Sequence, residues 1–216
     1  MIDRERIPCI HVLAGTNGAG KSSVGGAMFR ESGAEYFNPD EAAQRFHAKN
    51  PGMTQEEANS AAWHQGKRLL ERAISERLDF AFETTLGGHT LAALLDQALS
   101  EKIEVRIWYV GLATPELHIA RVRSRVAAGG HDIPQAKIRE RYVNSRLHLV
   151  DLMTKLTELR VFDNSEEGDP QRRIAPRPRL LLHMDHGKIV DSCDLTQTPE
   201  WAKAILVTAM KISHKD

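Results

Sequence analysis

The sequence predicts an α/β fold: a five-stranded parallel sheet with helices on both faces, a helical lid, and a C-terminal β-hairpin and helix. Three observations predict it. Short apolar runs alternate with stretches of helical periodicity over residues 7–165, the pattern of βαβ units that close as a parallel sheet. The first run, 7–14, passes directly into Gly15-Thr16-Asn17-Gly18-Ala19-Gly20-Lys21-Ser22 and then into a helical pattern. Asp40 and Glu83 stand where the second and third strands end, and ligands of open α/β sheets bind at that carboxyl edge.

In chain order, Ile10, Val12 and Leu13 mark the first strand as buried. The helix after the glycine-rich loop turns Val24, Ala27, Met28 and Phe29 inward until Ser32-Gly33 stops it. Residues 35–38 form a short second strand, and Pro39 suits the first turn of a helix through Ala42, Ala43 and Phe46. Asn50-Pro51-Gly52 is a turn, and Thr54-x-x-Glu57 is a capping box opening a long helix. On it Ala62, Leu69 and Ala73, beside Trp63, Leu70 and Ile74, repeat at helical spacing and belong to the core. Residues 79–83 are the third strand, followed by Thr84-Thr85, the Gly87-Gly88 turn and a helix over 90–100.

A fourth strand spans 103–110, after which Thr114-Pro115-Glu116 opens a helix with cap, proline and acid in order. Its apolar stripe is Ile119, Val122 and Val126, while Arg121 and Arg125 share another face. Gly129-Gly130 ends it. Beyond His131-Asp132-Ile133-Pro134 a long helix covers 135–156 and carries Arg139, Arg141 and Arg146, and the fifth strand is 160–163. The polar stretch 166–178 divides a core of residues 1–165 from an extension of 166–216. In the extension 180–184 and 188–190 pair as a hairpin through Asp185-His186-Gly187, and a helix over 199–212 buries Trp201, Ile205 and Ala209. The extension is expected to pack on the main sheet as an appendage.

With 216 residues and 41% hydrophobic content the chain can bury one sizeable core, and a second full domain is not expected. Lys plus Arg equals Asp plus Glu at 29 each, so no global positive field draws it to nucleic acid or a membrane surface. Neither is expected as a partner. Cys9 and Cys193 offer no disulfide framework or metal-ligand spacing, which suits a reducing compartment. The charged start lacks the apolar core of a signal peptide, and no run approaches the roughly 18 apolar residues of a membrane span. A cytoplasmic protein is the expectation.

The loop 15–22 reads as a P-loop. Its glycines let successive N–H groups turn toward one anion, and the helix that follows adds its positive N-terminal end. Gly15, Thr16, Asn17, Gly18, Ala19, Gly20, Lys21, Ser22 and Ser23 are thus candidates to bind ATP, with Lys21 meeting the β- and γ-phosphates and the Ser22 hydroxyl holding Mg²⁺. A P-loop alone does not separate kinases from GTPases, motors or switches. Motors need an acid after an apolar strand, and the fourth strand ends Trp108-Tyr109-Val110-Gly111 without one. Asp40, Glu83 and an arginine-rich helical pair instead form the arrangement of a small-molecule kinase. In such an enzyme an acid accepts the acceptor hydroxyl's proton and arginines stabilise charge on the transferred phosphoryl group.

Taken together, residues 12–22, Asn38-Pro39-Asp40, Phe82-Glu83-Thr84-Thr85 and Arg125-Val126-x-x-Gly129-Gly130-His131-x-Ile133-Pro134 resemble the zeta-toxin family over about residues 7–164. The resemblance implies a P-loop kinase fold and transfer from ATP to a hydroxyl of a small-molecule acceptor, UDP-N-acetylglucosamine for the best-known members. It also implies a small helical antitoxin as the partner of some members. Carried over by position, Lys21 and Ser22 hold phosphates and metal, Asp40 matches the catalytic base, and Glu83 matches a substrate-binding acid with Thr84 and Thr85 beside it. Arg125 matches a lid arginine, and Arg141 follows on the opposite lid helix. The long toxins have Glu-Gly-Thr where this chain has Glu83-Thr84-Thr85, and they have another lid and a longer substrate region.

Plainer readings stand beside these. Asp40 complements the dipole of its helix, Glu83 binds a neighbouring cation, and Arg121, Arg123, Arg139 and Arg146 are solvated helix faces. His131 shapes the lid turn, and His183-x-x-His186 is hairpin surface. Asp163-Asn164, after the last parallel strand, is a further candidate, expected to border the adenine. Rival functions are a kinase for a sugar, nucleotide or nucleic-acid 5′ end, and a non-catalytic ATP-binding protein that docks to a partner.

Overall fold

The computed structural model describes residues 6–25, 36–166 and 178–214. Strands β1 (Cys9–Ala14), β2 (Tyr36–Phe37), β3 (Phe80–Thr84), β4 (Glu104–Gly111), β5 (Glu158–Asp163), β6 (Arg179–Asp185) and β7 (Lys188–Ser192) form one sheet in the order β2-β3-β1-β4-β5-β6-β7. The described helices are α1 (Lys21–Val24), α2 (Pro39–Lys49), α3 (Gln55–Ser75), α4 (His89–Ser100), α5 (Pro115–Ala127), α6 (Gln135–Leu152) and α7 (Glu200–Ser213). The stripe of Ala27, Met28 and Phe29, the Ser32-Gly33 stop, Glu35 and most of the polar stretch lie outside the described residues.

The first five strands are parallel, whereas β6 runs antiparallel to β5 and β7 antiparallel to β6. The hairpin therefore lengthens the sheet to seven strands; it is not an appendage laid on a sheet of five. The reason is physical: the outer edge of β5 offers unpaired N–H and C=O groups that need partners, and β6 supplies them while burying Leu181, Leu182 and Met184.

Ile10, Val12, Val105, Ile107, Leu159 and Val161 join Leu95 of α4, Leu149 of α6 and Ile205 of α7 in the main core; each such side chain is worth roughly 1.5–3 kcal/mol of burial. Leu13, Ala81 and Val110 form a smaller cluster with Val24 of α1. Helix α3 opens on the expected capping box, but its inward stripe is Ala58, Ala62, Leu70, Ala73 and Ile74. Trp63, at the margin of that face, is 41% exposed. Helix α6 ends at Leu152, short of the expected 156, and Leu156 is buried in the turn leading to β5.

Helices α3 and α4 stop alike, on Arg77 and Lys102 in the left-handed region (φ 53 and 59). Leu78 N–H then reaches back to Ala73 O, and Ile103 N–H to Ala98 O. Behind the carboxyl edge, Gly111 meets Trp201 of α7 so closely that a β-carbon would lie 2.3 Å from the indole. Trp201 Nε1 donates to Asp163 Oδ1 (3.2 Å), and its carbonyl accepts from Arg146 Nη1 (3.2 Å). Among the described residues no helix is long and apolar enough to cross a membrane.

Candidate active site

β1 lies between β3 and β4, so the loop that leaves Ala14 has a strand end on either side. Gly20 adopts the left-handed conformation (φ 85) before α1, one that glycine enters without the β-carbon penalty. Lys21, the next residue, folds back over the loop. Its Nζ donates to Gly15 O (2.8 Å) and lies 3.5 Å from Glu83 Oε1. Lys21 and Glu83 are 7% and 8% exposed. Ser22 and Ser23 follow in α1, and Thr16, Asn17, Gly18 and Ala19 complete the loop.

Glu83 is a hub. Its Oε2 accepts from Ser22 Oγ (3.0 Å), Tyr36 OH (3.0 Å) and Asn38 Nδ2 (3.4 Å). Burying a carboxylate is costly unless it is paired and hydrogen-bonded, and donors from the P-loop and from β2 with its following residue do both. Asn38 has a second task, because its Oδ1 caps α2 by accepting from the N–H groups of Asp40 and Glu41. Asn-Pro-Asp is thus at once a helix cap and a clamp on Glu83.

Asp40, in the first turn of α2, faces the lid. Its Oδ2 accepts from Arg125 Nη1 of α5 (3.3 Å), while Arg125 Nη2 reaches His131 O (3.4 Å). His131 shapes the turn through its backbone. Arg141 of α6 donates to Asn17 Oδ1 (2.8 Å); burial pulls its pKa down, against the opposing charges of Glu140 and Asp40. Lys21, Asp40, Arg125 and Arg141 therefore converge from the P-loop, α2, α5 and α6. Thr84 Oγ1 and Thr85 Oγ1 accept from the N–H groups of Leu86 (3.0 Å) and Gly87 (3.4 Å), which stitches the loop after β3.

The other arginines stand apart from the two carboxylates: Arg139 pairs with Glu116, Arg146 lies over the Tyr142 ring at 4.1 Å, and Arg121 is 3.5 Å from Glu166 O. Arg123 lines a cavity between α5 and α6 with Val126 and Ile138. His183 and His186 sit beside Glu158 and Asp185, and among the described residues no cluster of three or more His, Cys, Asp or Glu could hold a metal ion.

Two contributors, Tyr36 and His118, escaped the sequence reading, and Asn164, expected beside the adenine, makes a contact that it did not foresee. Tyr36 holds Glu83, as above. Asn164, after β5, donates from Nδ2 to Ala19 O (2.9 Å) and so pins the P-loop. His118 is 1% exposed on α5, with Nδ1 2.8 Å from Asn17 O. A carbonyl only accepts, so Nδ1 carries the proton. Burial, helped by the charges of Lys21, Arg121 and Arg146, lowers the pKa of His118 to about 4. Its one sequence signal is its place beside Ile119 and one turn before Val122, on the inward face of α5.

A glycine-rich loop leaving β1, the middle one of the five parallel strands, carboxylates at the end of β3 and just after β2, and a two-helix arginine lid define a P-loop kinase-type fold. Residues 2–175 match the zeta toxin family, and the chain belongs to that family. A protein of Haemophilus influenzae is 29% identical over 129 residues, which is 59% of this chain and 88% of that protein. Among solved structures, a chain of the AvrRxo1-ORF1:AvrRxo1-ORF2 complex with sulphate ions superimposes with a TM-score of 0.65 at 15% identity, over 97% of this chain and 64% of that one. This chain thus spans less than two thirds of that larger relative. The PezAT chromosomal toxin-antitoxin system of Streptococcus pneumoniae gives a TM-score of 0.54 at 16% identity, over 98% of this chain and 87% of that one. At such identities the likeness is one of fold.

Proposed function

We propose that the protein is a Mg²⁺-dependent kinase that transfers the γ-phosphoryl group of ATP to a hydroxyl of a small molecule, with a UDP-N-acetyl sugar as the first acceptor to try. The observation that carries this reading is the pairing of Asp40 with Arg125 across the P-loop mouth, at 3.3 Å. A base and a transition-state cation are thereby held together where an acceptor would meet the γ-phosphate.

Lys21 leaves Glu83 for the β- and γ-phosphates, and Arg141 and Arg125 swing onto the transferred group. Asp40, released from Arg125, takes the acceptor hydroxyl's proton as the new O–P bond forms and the β–γ bridging bond breaks, so that ADP departs. Glu83 with Thr84 and Thr85 orients the acceptor. The Ser22 hydroxyl, held at the P-loop by its 3.0 Å hydrogen bond to Glu83, fits Mg²⁺, which takes few protein ligands and completes its shell with phosphate and water. Bound there, Mg²⁺ would neutralise charge on the phosphates. Residues 1–165 would supply the chemistry and 166–216 its support, in the cytoplasm where ATP is held. The likeness to the PezAT toxin-antitoxin system supports a small antitoxin as partner.

Incubation with Mg-ATP and a panel of UDP-N-acetyl sugars, simple sugars, nucleosides and 5′-hydroxyl oligonucleotides tests this by mass. A gain of one phosphoryl group on an acceptor is the expected result. ATP binding without turnover on any acceptor would favour the non-catalytic reading.

A further inference from the structure

Beside the apolar residues Ile138, Leu149 and Leu152, helix α6 also buries polar ones. Arg141, Ser145 and His148 stand at i, i+4 and i+7 on one face. Arg141 holds Asn17 of the P-loop. Ser145, with no exposed surface, shares a 3.0 Å hydrogen bond with the Tyr109 hydroxyl, which Thr16 of the P-loop also contacts. His148, 7% exposed, places Nδ1 2.8 Å from Leu86 O and Nε2 3.1 Å from His89 Nδ1. The proposed reaction gives this buried ring nothing to do, yet both its nitrogens are engaged.

What it holds is the loop that continues Glu83-Thr84-Thr85. Leu86 is 1% exposed and has φ 52, a left-handed conformation that a β-carbon disfavours and that persists only where the surroundings over-determine it. Two bonds do so: its N–H goes to Thr84 Oγ1, and its carbonyl faces His148. Because a carbonyl only accepts, His148 Nδ1 carries a proton. Between His148 Nε2 and His89 Nδ1 there is room for one more, since two donors cannot face each other. Gly87 then abuts the lid arginine, with a β-carbon there falling 2.7 Å from Arg141 Cγ. The loop thus touches α6 at two levels, two helical turns apart.

We propose that His148 is a positioning residue: α6 grips the P-loop through Arg141 and the 84–88 loop through His148, so one helix sets both sides of the site. Calling 84–88 the acceptor side rests on the kinase reading; the mechanical link does not.

Amide hydrogen exchange over residues 84–90 of the full chain tests the link without an acceptor. In His148→Phe, which keeps an aromatic ring and removes the donor, exchange there should rise about tenfold, as for one lost buried hydrogen bond, with β1 and β4 unaffected. His148→Asn, whose Nδ2 can take the place of Nδ1, should restore most of the protection. Mg-ATP should slow exchange at 84–90 in the wild type and in His148→Asn, but not in His148→Phe. An unchanged loop in His148→Phe, equal loosening in the Asn variant, or a rise spread over the whole sheet would overturn the proposal. If His148→Phe does not fold, ring ¹⁵N resonances of the wild type decide: Nδ1 of His148 must be protonated, and a bare Nδ1 removes the link. Loop protection that follows His148 as expected in a chain that binds no ATP would retain the link and sink the kinase reading.

Discussion

Arg125 Nη1 lies 3.3 Å from Asp40 Oδ2, joining α5 to α2 across the mouth of the P-loop. The two side chains are 38% and 45% exposed, so the pair adds little to stability. On the proposed mechanism it holds a cation and a carboxylate at one point, to part when phosphate arrives.

Asp40→Asn keeps the side chain's size and removes its ability to take a proton. Transfer should fall by about 10²–10⁴-fold while Mg-ATP affinity and the unfolding midpoint stay near wild type. Asn38, not Asp40, caps α2, so a stability loss is not expected. A wild-type kcat at saturating acceptor would falsify the role of base.

Lys21→Met should abolish most ATP binding or turnover. It also strips a buried carboxylate of its ion pair, a change that costs roughly 3–5 kcal/mol when nothing compensates. Ser22, Tyr36 and Asn38 remain as donors to Glu83, so the fold should survive with a smaller loss. Adding Glu83→Gln should recover stability in urea without recovering activity. A double variant no more stable than the single one would show that Glu83 does not depend on Lys21.

Acid should destabilise the chain through His118. Its pKa is about 4 when folded against 6.5 ordinarily, so the unfolded chain binds the proton first. The stability associated with neutral His118 is fully present above pH 6.5 and is lost as the pH falls toward and through 4, on the order of 3 kcal/mol in all. His118→Asn, able to donate to Asn17 O from a group that does not titrate, should flatten that limb of the stability–pH curve. An unaltered acid limb would mean that other groups set it.

Lys102→Gly should raise stability, because Lys102 ends α4 with φ 59, where a β-carbon costs about 1–2 kcal/mol, partly offset by glycine's greater freedom when unfolded. A net gain of up to about 1 kcal/mol would lift Tm by roughly 2–4 °C in a chain of this size. Differential scanning calorimetry checks it, and a lower Tm would contradict the cap assignment.

Much of the fold was legible because it is written locally. The capping box at Thr54, the Thr114-Pro115 start and the glycine-rich loop each announce themselves within a few residues. Asp40, Glu83 and the lid arginines could be nominated because strand ends and helix faces follow from spacing. Partners distant in sequence could not: His118 meets Asn17 across 101 residues and Asn164 meets Ala19 across 145. The alternation in 180–190 signals a hairpin equally well whether it lies on a sheet or within it, and only the unpaired edge of β5 decides. Trp63 misled because a large apolar residue beside a helical stripe need not be in it.

Trp201 has a consequence for how the chain can be shortened. The family match ends at residue 175, and every motif from Gly15 to Pro134 lies ahead of that point. Yet the indole of Trp201 seats the end of β4 at Gly111 and is hydrogen-bonded to Asp163, immediately before the asparagine that pins the P-loop. A fragment trimmed to the motif-bearing length would carry all the nominated chemistry with its keystone withdrawn, and a lack of activity in such a fragment would speak to its architecture and not to its catalytic groups.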